Sequence, residues 1–173
     1  MTTEMAAGRC PSKDGPVSEP RWLDDTEAAA WNNLVQVLML LPAALDRQLR
    51  EEAGIPHPYY QILANLSDSP GRAIRMTDLA RLVGTTSSRL SHAVASLEQR
   101  DWVRREACPT DKRGQICRLT ETGLAVLVAA APGHVDEVRR LVFDRLTPDE
   151  VAQLADLTAK LNPAGDNPLG GRS

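Results

Sequence analysis

The sequence predicts a mostly α-helical protein with one small β-hairpin, in which a helix-turn-helix lobe lies between long N- and C-terminal helices. Apolar residues recur every three or four positions through most of the chain, which is the period of an amphipathic helix. A turn that contains Gly84 separates two short helical patterns. Two strand-like segments then flank a charged, turn-rich stretch, which predicts a hairpin. Only 3% of the residues are aromatic, so the predicted core is aliphatic.

The first half of the chain contains four predicted helices. A long one begins near Arg21, and Pro58 begins a second at a position where its missing N–H costs nothing. Thr77 is predicted to cap a third helix that ends at Gly84, and Thr85 or Thr86 to cap a fourth. The apolar stripe of the first helix is Trp31, Leu34, Leu38, Leu41, Leu45 and Leu49. The apolar side of the fourth is Leu90, Val94 and Leu97.

Strands over 102–106 and 115–119 are predicted to enclose a loop over 109–114. A hairpin directly after the second helix of a helix-turn-helix is a wing, so the predicted class is mostly α with a small β-wing, a winged helix-turn-helix. Thr120 caps another long helix, and the sequence 147–150 (TPDE) is a capping box for the last one. Because the terminal helices carry apolar stripes without a partner inside a small lobe, we expect them to be dimerisation helices in a homodimer.

The charge of the chain is uneven. The whole protein has a net charge of −3, whereas residues 72–118 contain ten Lys or Arg and five Asp or Glu, which is +5. A basic segment in an acidic protein is typical of binding to a polyanion such as DNA. A solvated charged surface is the alternative.

Other functional classes find little support in the sequence. No glycine-rich phosphate loop, nucleophile elbow or metal-ligand spacing is present, so we expect no enzyme activity, no cofactor and no metal site. The three cysteines are widely spaced, which is typical of a reduced cytoplasmic protein. The N-terminus has no signal-peptide pattern, and we expect no segment with the ~20 apolar residues that span a bilayer.

DNA recognition requires an exposed helix face with short polar side chains in its N-terminal half, so that the helix enters the major groove closely. The residues of the fourth helix predicted to contact DNA are Thr86, Ser87, Ser88, Arg89, Ser91 and His92. In the wing, Arg113 suits the narrow, electronegative minor groove, Asp111 is spaced to orient the guanidinium, and Lys112 adds charge. The alternatives are that the serines only cap the helix and that Arg113 is solvated.

Several segments of the sequence fit one family pattern. The segments are 75–80 (RMTDLA), 88–92 (SRLSH), 97–98 (LE), 102–105 (WVRR), 108–114 (CPTDKRG) and 119–123 (LTETG). They resemble the MarR (multiple antibiotic resistance) family of winged-helix regulators, in a form common in actinobacteria. The Asp-x-Arg wing followed by Leu-Thr-x-x-Gly is specific to that pattern. Asp101 departs from it, since the family usually has Gly there; Asp tolerates a left-handed backbone, so we expect the turn to survive.

The resemblance covers about residues 21–161. It implies an intertwined homodimer, sequence-specific binding of double-stranded DNA, and a transcriptional repressor released by a small-molecule effector. A dimer with two reading helices predicts a pseudo-palindromic operator whose half-sites lie about 10 bp apart. The effector site that the resemblance implies makes candidates of Trp31, His57, Tyr59 and Tyr60. Packing of the helix junction is the alternative role for these four residues.

These inferences divide the chain into a tail (1–20), a dimerisation helix (21–55), the DNA-binding lobe (56–119), dimerisation helices (120–161) and a tail (162–173), both tails predicted to be disordered. Two other functions remain open: an enzyme, which the missing motifs disfavour, and a protein-binding winged helix, which the +5 segment disfavours. A redox hypothesis is also open. If the wing turns between Lys112 and Arg113, Cys108 and Cys117 lie opposite each other within disulfide range. The alternative, which the reducing cytosol favours, is that they are simply two small strand residues.

Overall fold

The computed structural model describes residues 20–108 and 111–161, without the side chains of 111–113. The predicted tails therefore lie almost wholly outside the described residues. The predicted fold class, mostly helical with one small sheet, is confirmed. The elements are α1 (Asp25–Ala53), α2 (His57–Asp68), β1 (Ala73–Arg75), α3 (Met76–Leu82), α4 (Ser87–Glu98), β2 (Val103–Cys108), β3 (Asp111–Leu119), α5 (Glu121–Leu141) and α6 (Pro148–Leu161), with 3-10 turns at Pro70–Arg72 and Phe143–Arg145.

Two of the predicted helix caps are present as expected. Thr86 Oγ1 accepts a hydrogen bond from the N–H of Arg89 at the start of α4, and Thr120 Oγ1 accepts one from Gly123 at the start of α5. Each bond satisfies a backbone donor that the first helical turn leaves without a partner. The helix that positions the polar face and the helix that follows the wing therefore begin where the sequence predicts.

The predicted cap of α3 was wrong. The helix begins at Met76, and Thr77 lies inside its first turn, while Arg75 at the cap position makes no side-chain capping bond. The reason is β1, which the sequence analysis missed: residues 73–75 are held in a strand, and the chain enters α3 directly from it. Gly84 ends the α3 region as predicted, with φ at +64° in the left-handed range that glycine adopts freely.

The three strands form one antiparallel sheet in the order β1-β3-β2. The wing is longer than predicted because β2 runs to Cys108 and β3 already begins at Asp111. The pairing of β2 with β3 has a register shift between Ala107 and Cys108. Lys112 and Arg113 therefore belong to β3, and the strands do not turn between them as predicted.

This register contradicts the redox hypothesis. Cys108 lies opposite Asp111, and Cys117 lies opposite Arg105, so the two cysteines do not face each other. Both are buried, and burial raises the pKa of the Cys117 thiol to about 12. The thiolate is the reactive form of cysteine, so Cys117 is a packed apolar residue and not a redox group.

The chain divides into two compact units, Met1–Gln36 and Val37–Ser173. The second unit contains an aliphatic core to which α2, α3, α4, the sheet and α5 all contribute. Each such side chain stabilises the fold by about 1.5–3 kcal/mol on burial. Its fully buried members include Leu49, Ile62, Leu63, Leu66, Leu79, Leu90, Val94, Leu97 and Cys117.

The described part of the first unit, residues 20–36, contains the start of α1. Asp24 and Glu27 form a reciprocal capping box there, with N–H to carboxylate distances of 2.8 and 3.0 Å. Trp31 on this segment is 56% exposed.

The expectation that no segment is long and apolar enough to span a bilayer was wrong. By length and composition alone, α1 is such a helix, because residues 28–45 carry no charge. Little of that stretch is buried within the chain. Its exposed apolar surface therefore requires an explanation beyond the core of one protomer.

Gly123 at the start of α5 permits the close approach of the wing. A Cβ built there lies 2.8 Å from the carbonyl carbon of Trp102 and 2.9 Å from Cδ1 of Leu119.

We expect Gly123→Ala to lower the free energy of unfolding by about 1–3 kcal/mol, despite the better helix propensity of Ala, because the backbone at Trp102 must move. Chemical denaturation measures it. Gly133→Ala in the same helix is the control: it meets the flexible carboxylate of Glu52, which can turn away. Equal losses in both variants would contradict the packing argument.

Candidate nucleic-acid interface

Helix α4 presents one apolar and one polar face. Leu90, Val94 and Leu97 are almost fully buried and fix the helix on the core. The residues predicted to contact DNA all lie on the exposed side or at its N-terminal end, namely Thr86, Ser87, Ser88, Arg89, Ser91 and His92. The apolar residues recur at positions 90, 94 and 97, so the short polar residues between them are left toward solvent. The structure thus brings the six predicted residues of the helix together on one surface.

The wing extends directly from the end of α4. β2 and β3 pair from Val103↔Leu119 outward to Cys108↔Asp111. Asp111, Lys112 and Arg113 are the first three residues of β3, next to the turn. Their side chains are outside the described residues, so the predicted pairing of Asp111 with Arg113 stays a prediction.

A carboxylate at the end of α4 is bonded to the wing, and the sequence analysis missed it. Glu98 Oε1 accepts the backbone N–H of Arg105 at 2.8 Å, and Glu98 Oε2 accepts Nε of the same residue at 2.8 Å. The Arg105 guanidinium holds the pKa of Glu98 below its usual range. A signal exists in the sequence, since an acidic helix end and a basic strand lie seven residues apart, but that spacing alone does not fix which arginine is the partner.

The turn between α4 and β2 survives the replacement of the family's glycine. Asp101 has a φ of +56°, which lies in the left-handed range. An aspartate was predicted to tolerate that conformation. Its carbonyl oxygen accepts the Thr120 hydroxyl at 2.6 Å, and its carboxylate accepts the Thr122 hydroxyl at 3.3 Å. The end of the α4 segment is therefore bonded to the start of α5 as well as to the wing.

A second polar cluster lies where α2 meets α5. The ring centroid of His134 is 4.3 Å from that of Tyr60 and 5.7 Å from that of His57. The backbone N–H of His57 donates to Asp46 Oδ1 at 2.9 Å. Of the four residues predicted for an effector, the structure brings His57 and Tyr60 to this cluster, and Tyr59 packs at the edge of the core. Trp31 belongs to the other compact unit.

Sequence reasoning missed His134, and it also missed Gln48 of α1, whose side chain lies near Gly133. Among the described residues, Gln48 Oε1 and His134 Nδ1 are buried side-chain atoms without a hydrogen-bond partner. Gln48 Nε2 donates to Glu52 Oε2 at 2.7 Å, close to Gly133. Buried polar atoms of this kind normally bind water or a ligand. No group of three His, Cys, Asp or Glu suited to a metal occurs in residues 20–108 and 111–161.

Acid should destabilise the fold through this histidine pair. Burial lowers the pKa of both His57 and His134, and the charge of His57 adds to the effect on His134. The unfolded chain, with a histidine pKa near 6.5, therefore binds more protons than the folded one. The stabilisation is complete above about pH 6.5 and is lost as the pH falls toward the lowered folded-state pKa values.

We therefore expect the melting temperature to fall between pH 7 and pH 5, by about 2–4 °C for each kcal/mol lost. His134→Gln should reduce that fall, and differential scanning calorimetry at both pH values measures it. His92→Gln, which changes an exposed ring, is the control and should leave the fall unchanged. The same fall in all three proteins would contradict a role for the pair.

A polar helix face backed by an aliphatic core, a glycine turn before it and a β-wing after it define a DNA-binding regulator of the winged helix-turn-helix class. A model of the MarR family matches residues 53–114. The chain is 30% identical over 126 residues to the transcriptional regulator HosA of Escherichia coli O111:H-. The aligned residues cover 73% of this chain and 91% of HosA. The chain therefore belongs to the MarR family of transcriptional regulators. It is a DNA-binding regulator and not an enzyme.

Two solved structures agree with this assignment. One is Sco3205, a MarR family transcriptional regulator from Streptomyces coelicolor in complex with DNA: the TM-score is 0.79 and the identity 49%, over 87% of this chain and 94% of that one. The other is AbsC, a MarR family regulator from the same organism, with a TM-score of 0.76 and 40% identity over 82% of this chain and 95% of that one. Members of the family are dimeric and bind small-molecule effectors.

Proposed function

We propose that α4 lies in the major groove and reads base edges, as the recognition helix of a transcriptional repressor. The observation that supports this proposal is the exposed polar face of α4. The buried side chains of Leu90, Val94 and Leu97 hold that helix on the core. Serine and histidine side chains are short enough for the helix axis to approach the bases. The free N–H groups of the first turn favour a phosphate at the helix start. The residues proposed to contact DNA on this element are Thr86, Ser87, Ser88, Arg89, Ser91 and His92.

The wing is proposed to enter the adjacent minor groove through Arg113. A narrow minor groove concentrates negative potential, which an arginine senses without reading sequence. Lys112 adds a phosphate contact, and Asp111 orients the guanidinium. The position of these residues at the start of β3, next to the turn, supports this assignment.

The biological unit is proposed to be a homodimer formed by the terminal helices. Burial of apolar surface drives association. Single apolar residues on a surface are ordinary, but this chain exposes many of them next to each other, which is typical of an interaction site. A two-fold dimer would bind a pseudo-palindromic operator with half-site centres about 10 bp apart. The exposed apolar residues on these helices are Trp31, Leu34, Val37, Leu38, Met39, Leu40, Val128, Val135, Leu157 and Leu161.

An effector is proposed to release the repressor from its operator in the cytoplasm. The cluster of His57, Tyr60 and His134 supports this role, because it combines aromatic surface with one buried polar atom, His134 Nδ1, that has no hydrogen-bond partner. Tyr59 and Trp31 are retained as candidates from the sequence analysis. The division into a dimerisation helix (21–55), a lobe (56–119) and dimerisation helices (120–161) is likewise retained.

His92→Ala tests the reading function of α4. We expect it to cost about 1–3 kcal/mol on the cognate duplex and little on a scrambled duplex, because a base contact is lost only where the base is correct. Fluorescence anisotropy on both duplexes measures it. Gln99→Ala, exposed just beyond α4, is the control. An equal loss on both duplexes would assign His92 to phosphate, and the absence of salt-dependent DNA binding by the wild type would favour a protein-binding module instead.

A further inference from the structure

We propose that Glu98 is a positioning residue that fixes the wing against the recognition helix, so that the two elements enter their grooves as one rigid unit. This inference rests on the proposed function, in which both α4 and the wing contact DNA. Glu98 is the last residue of α4, and Arg105 is the third residue of β2. We call this pair the helix–wing clamp.

The geometry of the clamp constrains direction as well as distance. One carboxylate oxygen accepts the backbone N–H of Arg105 and the other accepts its guanidinium Nε, both at 2.8 Å. A bond to the backbone fixes the strand itself, while the bond to the guanidinium fixes the rotation of the carboxylate. Two charge-assisted bonds between one pair of residues are stronger and more directional than a single contact.

The location of Glu98 is unfavourable unless its carboxylate has a partner. The C-terminus of a helix carries a partial negative charge, which repels an acidic side chain in the last turn. Both side chains are only about one-third exposed, at 27% for Glu98 and 32% for Arg105. Hydrogen bonding to Arg105 keeps the pKa of Glu98 low, so the carboxylate is ionised at neutral pH.

The clamp is placed where a small rotation has a large effect. Arg105 lies three residues before Cys108, at which β2 ends. With a rise of about 3.3 Å per residue, the strand carries the tip roughly 10 Å beyond the clamp. A rotation of about 10° at the clamp then moves the tip by about 2 Å, more than the roughly 0.5 Å tolerance of a binding group.

A neighbouring acid provides a matched control. Glu106 lies in β2 next to Arg105 and also pairs with arginines, but those partners, Arg104 and Arg118, belong to the sheet itself. Glu106→Gln therefore removes an equal charge one residue from Arg105 without breaking a bond to α4. Glu98→Gln removes the charge and weakens the clamp.

The experiment measures binding of a cognate duplex, defined by footprinting, to the full-length protein across a potassium chloride series. The proteins are the wild type, Glu98→Gln, Glu106→Gln, Arg113→Ala and the double variant of Glu98→Gln with Arg113→Ala. We expect Glu98→Gln to weaken binding about tenfold and to flatten the salt dependence, as loss of the wing contact does. The double variant should bind within about twofold of Arg113→Ala alone, and Glu106→Gln within about twofold of the wild type.

The outcomes separate the clamp from the wing. Full affinity in Glu98→Gln, a loss shared by Glu106→Gln, or additive losses in the double variant would overturn the clamp while leaving the proposed function standing. No effect of Arg113→Ala would overturn the wing contact, and the clamp with it. Melting temperatures identify a variant that fails to fold; Arg105→Lys, which keeps the charge and loses the Nε bond, then serves in place of Glu98→Gln and should show the same non-additivity.

Discussion

Leu38→Glu should convert the protein from a dimer to a monomer at micromolar concentration and weaken binding to the cognate duplex by about 100-fold or more. Leu38 is 62% exposed, and its neighbours Val37, Met39 and Leu40 are exposed as well. Burying a new carboxylate in an apolar interface costs several kcal/mol without a partner. A monomer binds only one half-site of the operator. In a dimer, the second subunit binds the other half-site at high effective concentration, and the monomer loses that contribution to affinity. Light scattering and anisotropy measure the two effects.

Gln61→Glu is the control for that variant. Gln61 is exposed on α2 and not on a terminal helix, so the variant adds an equal charge outside the proposed interface. We expect it to remain a dimer and to bind DNA nearly as the wild type does. A dimeric Leu38→Glu variant with full affinity would exclude this part of α1 from the interface.

Arg113→Ala should weaken binding to cognate and scrambled duplexes alike and flatten the salt dependence by about one unit of slope for each wing. The arginine is proposed to act through minor-groove potential and phosphates, which are largely independent of sequence. With two wings in a dimer, a loss of about tenfold per wing gives about 100-fold overall. Asp111→Ala should show a milder form of the same change, because it only orients the arginine.

Arg104→Ala is the charge-matched control for the wing. Arg104 is exposed at the base of β2 and pairs with Glu106, so its loss removes an equal charge far from the turn. Its effect on the salt slope should be small. If Arg113→Ala retains both affinity and slope, the wing does not touch DNA.

Local patterns predicted most of the fold. The 90, 94 and 97 spacing predicted which side of α4 is buried, and the caps at Thr86 and Thr120 predicted where α4 and α5 begin. These features depend only on residues a few positions apart, so a single sequence contains all the information that determines them. The polar face proposed for DNA follows from the same spacing, because whatever the core does not bury must face solvent.

The errors concern contacts between residues that are distant in sequence or depend on register. β1 has only three residues, Ala73–Arg75, and its identity as a strand comes from pairing with β3 more than forty residues later. The cysteine hypothesis failed because β3 already begins at Asp111, which shifts every pair along the hairpin from the predicted register. His134 joins His57 only through the packing of α5 on α2, which periodicity cannot specify.

The apolar surface of α1 cannot be interpreted from composition alone. The apolar positions of residues 28–45 fit an amphipathic stripe, but the stretch is also uncharged, and its apolar residues are exposed on several sides of the helix. An exposed apolar helix in a DNA-binding regulator is accounted for by a dimer interface that wraps around it. That explanation is testable through Leu38 and does not require a membrane.

Footprinting on the DNA upstream of the gene that encodes this protein, repeated across a salt series, tests the central claim most directly. The account predicts a symmetric protected site with half-site centres about 10 bp apart, bound far more tightly than scrambled DNA and more weakly as salt rises. Protection without symmetry, or equal affinity for cognate and scrambled duplexes at every salt concentration, would contradict a dimer that reads sequence through α4.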